Sequence, residues 1–218
     1  QSHLCDRTQG LSKESPSVES PHTLWHNQTA RRSFNLGTFS EFTLVRAEAL
    51  TPLPMSIDMT HACILGCGVM TGVGSVLNSA KVQAGDSVVV MGCGGVGLSV
   101  VQGARIAGAK TIIALDRRDE SLARAKSMGA THSWRITDED LELKDAVAHV
   151  RSLTDARGAD HAFEATGKHS LAFAPLKFIR HGGNALQLSG AHGDVTASML
   201  DFWWDKRYLT PLYGGCHP

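Results

Sequence analysis

The sequence predicts an α/β fold, a doubly wound parallel sheet, and three observations carry that prediction. From about residue 82, short apolar runs alternate with segments of helical period. The linkers between them are a few residues long and often hold glycine. The first apolar run, Ser87 to Met91 (SVVVM), has no polar alternation, as expected of a strand covered on both faces. Strict strand–helix alternation makes successive strands parallel and puts their connecting helices on both sides of the sheet.

Residues 1 to about 36 are rich in Ser, Thr, His, Arg and Asn, and no period of 2 or 3.6 persists there. Such a stretch makes no core alone. From Phe39 the alternation of Phe42 and Leu44 in FSEFTLVRAEAL predicts a strand, and Pro52 and Pro54 punctuate the chain after it. A helix-like run accompanies ILGCGVMTG, residues 64–72. After SVVVM, a helix from Gly95 to Gly108 carries Val96, Val100, Val101, Ala104 and Ala107 on one face. Thr111 to Leu115 (TIIAL) is the next strand, and Ser121 to Met128 is a helix stopped by Gly129. A helix from Leu143 to Leu153 presents Leu143, Val147, Val150 and Leu153 as a stripe. His161 to Ala165 and Asn184 to Ser189 supply two more strands, separated by a helix from Ser170 to Arg180 that Pro175 is placed to kink in its second turn.

Composition excludes some functions. The chain of 218 residues is 42 % hydrophobic and 19 % charged, with 21 basic residues against 21 acidic, so neither disorder nor a polyanion partner is indicated. Without a basic tract or interleaved aromatics, nucleic acid is not an expected partner. No apolar run approaches the roughly 18 residues needed to cross a bilayer, and the first forty residues lack a signal-peptide pattern. The expectation is a cytoplasmic protein without a membrane partner. Five cysteines, an odd number at uneven spacing, argue for reduced thiols rather than a disulfide framework.

Directly after SVVVM comes Gly92-Cys93-Gly94-Gly95-Val96-Gly97, a G-x-G-x-x-G run that opens the following helix. Asp116 closes the next strand roughly 20 residues on, as in the Rossmann dinucleotide fingerprint. In that fingerprint Gly92 permits the tight turn, Gly94 lets the backbone approach a pyrophosphate, and Gly97 lets helix and sheet pack closely. The pyrophosphate then sits over unpaired amides at the helix N-terminus. Asp116 would accept hydrogen bonds from ribose hydroxyls and repel a 2′-phosphate, favouring NAD over NADP. Arg117 and Arg118 complicate this, since either could neutralise a 2′-phosphate or be solvated surface charge. Cys93 reads as a small packed side chain rather than a redox thiol. Cys67, about 25 residues upstream, is by spacing alone either a small buried hydrophobe or a metal ligand.

LGCGVMTGVGSV, then AKVQAGDSVVVMGCGGVGLSVVQGARIAGA, then a strand ending in Asp116, resembles the zinc-containing alcohol dehydrogenases of the medium-chain dehydrogenase/reductase superfamily. The resemblance runs from about Phe39 to the end. It implies a Rossmann domain over residues 61–207, an incomplete GroES-like β-rich catalytic domain over 1–60, and over 208–218 the last Rossmann strand with the return to the catalytic domain. It implies that Cys67 is one of three protein ligands to a catalytic zinc, that Thr71 packs beside the nicotinamide, and that Thr166, Ser189 and Gly190 lie along the rest of the dinucleotide. The implied reaction is hydride transfer between a small alcohol and NAD, giving an aldehyde or ketone.

The other implied zinc ligands and the proton relay match nothing here, and the resemblance implies an internal piece of a longer enzyme, inactive alone. His3, His22 and His26 stand at positions the family does not use, Cys5 resembles one of four structural-zinc cysteines, and Cys216 matches no role. Pairing through the outer strand near Tyr208 to Tyr213 implies a homodimer or homotetramer. Two other readings stay open: a zinc-free medium-chain reductase with Cys67 as packing, and a non-catalytic dinucleotide-binding protein.

Overall fold

An almost wholly apolar strand folds only where both faces are covered, and SVVVM occupies such a place. In the computed structural model, which describes residues 23–30, 40–43, 45, 47, 50–140, 142–190 and 193–216, it forms β3 at the centre of a six-stranded sheet. The chain divides into two compact units, residues 1–60 with 217–218, and residues 61–216.

Of the first unit, the described part includes a hairpin, β1 (Thr23–Trp25) antiparallel to β2 (Gln28–Ala30). Its two-residue turn, His26-Asn27, has positive φ at both positions, 47° and 59°, the handedness that matches strand twist. No period shows there in the sequence, because three-residue strands are too short to carry one. Residues 40–42 form a bend, and the rest of the strand expected around Leu44 lies partly outside the described residues, as do Cys5, His3 and His22.

The second unit holds β3 (Ser87–Met91), β4 (Thr111–Asp116), β5 (His132–Arg135), β6 (Ala159–Glu164), β7 (Ile179–Gln187) and β8 (Arg207–Leu209). Their order is β5-β4-β3-β6-β7-β8 and every neighbouring pair is parallel. This is the doubly wound topology that the alternation predicts. The helices are α1 (Met59–Ala80), whose first residues belong to the other unit, α2 (Gly95–Ile106), α3 (Asp119–Met128), α4 (Lys144–Ser152) and α5 (Pro175–Phe178).

Alternate residues of each strand feed two cores. Val88, Val90, Ile112, Ala114 and Phe163 pack with Val76 of α1, Val100, Val101 and Ala104 of α2 and Leu122 of α3. Val89, Met91, Ile113, Leu115 and Ala162 pack on the opposite face with Ala146 and Val150 of α4 and Leu176 and Phe178 of α5. Each buried Val, Leu, Ile, Phe or Met side chain among them contributes roughly 1.5–3 kcal/mol relative to exposure.

Three sequence expectations are corrected. The helix expected over 170–180 is α-helical only at Pro175–Phe178, after a 3-10 turn at His169–Leu171. Pro175 starts that helix, where its missing N–H has no intrahelical partner to lose, and Ile179 and Arg180 already belong to β7. The four-residue β5 was not anticipated, its pattern being half exposed. Finally, α1 is by length and composition apolar enough to span a bilayer, with mean hydropathy 1.5 over its best window, although only a third of that window is buried. Ile64, Leu65, Val69, Val73, Val76 and Leu77, with its Cys, Met and Ala residues and no Asp, Glu, Lys or Arg, give it that hydropathy.

Glycine sets how α1 docks. A Cβ at Gly72 would lie 2.5 Å from Ser99 Cβ and 2.6 Å from the Val96 carbonyl oxygen of α2. On another side, a Cβ at Gly74 would lie 2.3 Å from Cys216 Sγ. Cys216 accepts from Asn78 Nδ2 at 3.4 Å, which ties the segment 213–216 to α1. At the opposite end of the sheet, Asp160 joins three strands: Ser87 N and Oγ donate to it at 2.8 and 2.7 Å, and Arg180 Nε at 2.6 Å.

Two outcomes follow from this packing. Gly72→Ala is expected to destabilise the unit by roughly 2 kcal/mol, because backbone as well as side chain blocks the new methyl; urea unfolding checks it. Burial pushes the Asp160 carboxyl up, but the Ser87 hydroxyl, Arg180 and the Ser87 amide together outweigh it and lower the pKa from 3.8 to about 2. A lowered folded-state pKa stabilises above the unfolded value and is lost as pH falls through the folded one. Stability should therefore drop between about pH 4 and 2, less steeply in Asp160→Asn, as followed by urea midpoints across that range.

Candidate functional site

Parallel strands bring all their carboxyl ends to one rim, and a chain that turns back from β5 to β6 opens a crevice where the strand order reverses. A cleft of about 600 Å³ lies at that rim. Met91, Gly92 and Gly94 line it after β3, Asp116, Arg117 and Arg118 after β4, Asp138 after β5, and Thr166 and Lys168 after β6.

The three glycines of the turn differ in what demands them. Gly92 has φ +87°, which favours glycine, and a Cβ there would meet the Ala165 carbonyl oxygen at 2.8 Å. A Cβ at Gly97 would lie 1.8 Å from the Gly92 carbonyl oxygen, so helix and turn could not close. At Gly94, by contrast, φ is −81° and a Cβ would meet nothing within 4 Å. The protein itself leaves room for a side chain there. Gly94 caps α2, Gly95 has the same open space, and Val96 completes the first turn, whose amide donors have no partner within the helix. An open glycine at the rim of a cleft, beside unpaired helix amides, fits a diphosphate.

Asp116 supports the turn and faces the cleft. Its Oδ2 accepts from Cys93 N at 2.8 Å and its Oδ1 from Arg118 N at 2.9 Å. A carboxylate has about four acceptor sites, so each oxygen keeps one for a ribose hydroxyl. Arg117 pairs through Nη2 with Asp138 Oδ1. Arg118 Nε stands 3.9 Å from Asp116 Oδ1.

Cys93 is 1 % exposed, and burial, helped by the Asp116 charge, pushes its thiol up to about 12. It is a packed side chain, as the sequence implies, with no thiolate at neutral pH. Thr166 lines the cleft, whereas Ser189 and Gly190 do not. A residue the sequence reading missed links two of these. Glu164 is fully buried, accepts from Thr166 N at 2.6 Å and Thr166 Oγ1 at 2.5 Å through Oε1, and accepts from Ser189 Oγ through Oε2. It joins the loops after β6 and β7. A carboxylate directly after the apolar pair Ala162-Phe163, at the end of the strand, was the available signal.

Thr71 and Cys67 sit apart from the cleft lining, on α1. Thr71 is nearly buried, next to the Gly72 contact with the first turns of α2. Cys67 is exposed, so it is not the small buried hydrophobe that spacing alone allows. Among the described residues no group of three or more His, Cys, Asp or Glu is placed to hold a metal. One thiolate does not make a zinc site, and no step through zinc is derived from these residues.

The profile of the zinc-binding dehydrogenase family matches residues 95–216, more than half the chain. An S-(hydroxymethyl)glutathione dehydrogenase of Synechocystis sp. is 34 % identical over 194 residues, 88 % of this chain and 52 % of the relative. One from Escherichia coli O1:K1 is 38 % identical over 169 residues, 78 % of this chain and 45 % of the relative. The chain thus spans about half the length of the curated relatives it matches. Among solved structures, benzyl alcohol dehydrogenase from Acinetobacter calcoaceticus superposes with a TM-score of 0.71 at 28 % identity, covering 79 % of this chain and 47 % of that one. Alcohol dehydrogenase TADH from Thermus sp. ATN1 gives 0.65 at 29 % identity, covering 74 % and 45 %. With the reversed strand order, the glycine turn and the strand-end aspartate in place, the chain belongs to the zinc-binding dehydrogenase family of medium-chain alcohol dehydrogenases.

Proposed function

We propose that this chain seats NAD for an alcohol dehydrogenase that passes hydride between a primary or secondary alcohol and the nicotinamide. The observation that carries the reading is Gly94, which needs no glycine for the protein's own packing and lies on the cleft between β3 and α2. NAD supplies the hydride acceptor when bound. Gly92, Gly94 and the first turn of α2, with Gly95, Val96 and Gly97, hold the diphosphate, while Asp116 holds the adenosine ribose through its two remaining acceptor sites. Thr166 and Ser189, pinned by Glu164, border the path toward the nicotinamide, with Gly190 beyond them, and Thr71 flanks it from α1.

On the same reading Cys67 contributes one thiolate to a zinc whose other ligands lie outside the described residues. Its likeness to benzyl alcohol dehydrogenase and alcohol dehydrogenase TADH supports an alcohol as the substrate. β8 has a neighbour on one side only among the described strands, which leaves an edge for a second copy in a dimer or tetramer. None of Cys67, Cys93 and Cys216 is in a disulfide, in keeping with a reducing, cytoplasmic setting.

Gly94→Ala separates ligand from fold. The variant should melt within about 2 °C of the parent, because its methyl enters open space, yet lose at least tenfold in NADH affinity by fluorescence titration. Unchanged NADH affinity in a folded Gly94→Ala protein would remove the diphosphate from this turn.

A further inference from the structure

The dinucleotide reading leaves one chemical question, which the rim of the cleft answers. Two arginines directly follow the ribose-facing aspartate, and an arginine at this place suits a 2′-phosphate. The Arg117 guanidinium is engaged, whereas Arg118 stays exposed at the cleft. Arg117 Nη2 is ion-paired with Asp138 Oδ1 across the gap between the loops after β4 and β5, and both residues line the cleft. The backbone beneath is held as well: Arg135 Nε of β5 donates to the Arg117 carbonyl at 3.2 Å, and Arg135 Nη1 lies 3.4 Å from Asp119. Arg118 leans on Asp116 instead, its amide bonded to Oδ1 and its Nε 3.9 Å from the same atom.

The other charges around the cleft do not change this balance. Asp140 accepts from the Asp145 and Ala146 amides at 3.1 and 2.9 Å, so it serves the start of α4. Lys168 lines the cleft from the loop after β6, away from the β4–β5 rim.

We infer that Asp138 is a specificity-determining residue, which occupies Arg117 and thereby keeps the site from accepting a 2′-phosphorylated dinucleotide. A 2′-phosphate arriving here brings about two negative charges to a rim that already holds Asp116 and Asp138. Its natural counter-ion, Arg117, is engaged. Without the Asp138 charge, Arg117 is free to turn its planar fork toward a phosphate, a geometry for which guanidinium is suited. Because the Arg117–Asp138 pair is exposed, its own contribution to stability is small, and its effect is on choice of ligand.

The inference rests on the dinucleotide reading, and the test keeps the two apart. NADH and NADPH are titrated by fluorescence into the whole chain as the parent, Asp138→Asn, and the double variant Asp138→Asn/Arg117→Ala, each first shown to melt cooperatively. Asp138→Asn should improve NADPH relative to NADH by about fivefold, and the double variant should return to the parent ratio. A ratio that moves less than twofold in Asp138→Asn overturns the inference. So does a gain that survives loss of Arg117, which would reduce Asp138 to a general negative field. A folded parent that binds neither nucleotide overturns the dinucleotide reading itself.

Discussion

The approach of α2 to the end of β3 is the constraint on which the rest of this molecule depends. Gly97 stands so near the Gly92 carbonyl that a methyl group would fall 1.8 Å from the oxygen. That contact lets the helix start at once after the strand, aims its unpaired amides at the cleft, and buries Val100, Val101 and Ala104 against the sheet. The position of α1 is inherited from it. Because Gly72 rests on Val96 and Ser99, and Gly103 on Val73 and Val76, Cys67 and Thr71 take their places relative to the turn through two glycine contacts. A close-packed interior passes such a shift on, since it holds no slack to absorb it.

The parts legible in the sequence are those where one residue type has one physical use. SVVVM and TIIAL stand out because only a strand covered on both faces is almost wholly apolar, and the cores on each side use every residue of both runs but Ser87 and Thr111. The glycine turn and Asp116 were legible for the same reason, each spacing following from a backbone need. β5 and the hairpin at 23–30 are too short for a period to show, and Pro175 has two opposite meanings that sequence alone does not separate. Pairing was the other blind spot. Arg117 finds Asp138 and Glu164 finds Ser189 only because β4 lies beside β5 and β6 beside β7, and no local pattern announces contacts made by topology.

Three carboxylates at the rim show how such contacts prepare a site. Asp116 binds the amides of Cys93 and Arg118, Glu164 the amide and hydroxyl of Thr166, and Asp140 the amides of Asp145 and Ala146. Strand carbonyls point along this rim too, so a loop that leaves a strand here must satisfy amide donors that no neighbouring strand can reach. A carboxylate does so with charge-assisted bonds, stronger than neutral ones. The loops around the cleft are therefore already fixed, and a ligand entering it meets little of the ordering penalty that flexible loops impose. Asp116 both holds a loop and faces the cleft beside the glycine turn with acceptor sites to spare. The group that would recognise a ribose is thus the same group that shapes the turn for its diphosphate, so replacing Asp116 alters both at once, whereas Asp138 acts on ligand choice through Arg117 alone.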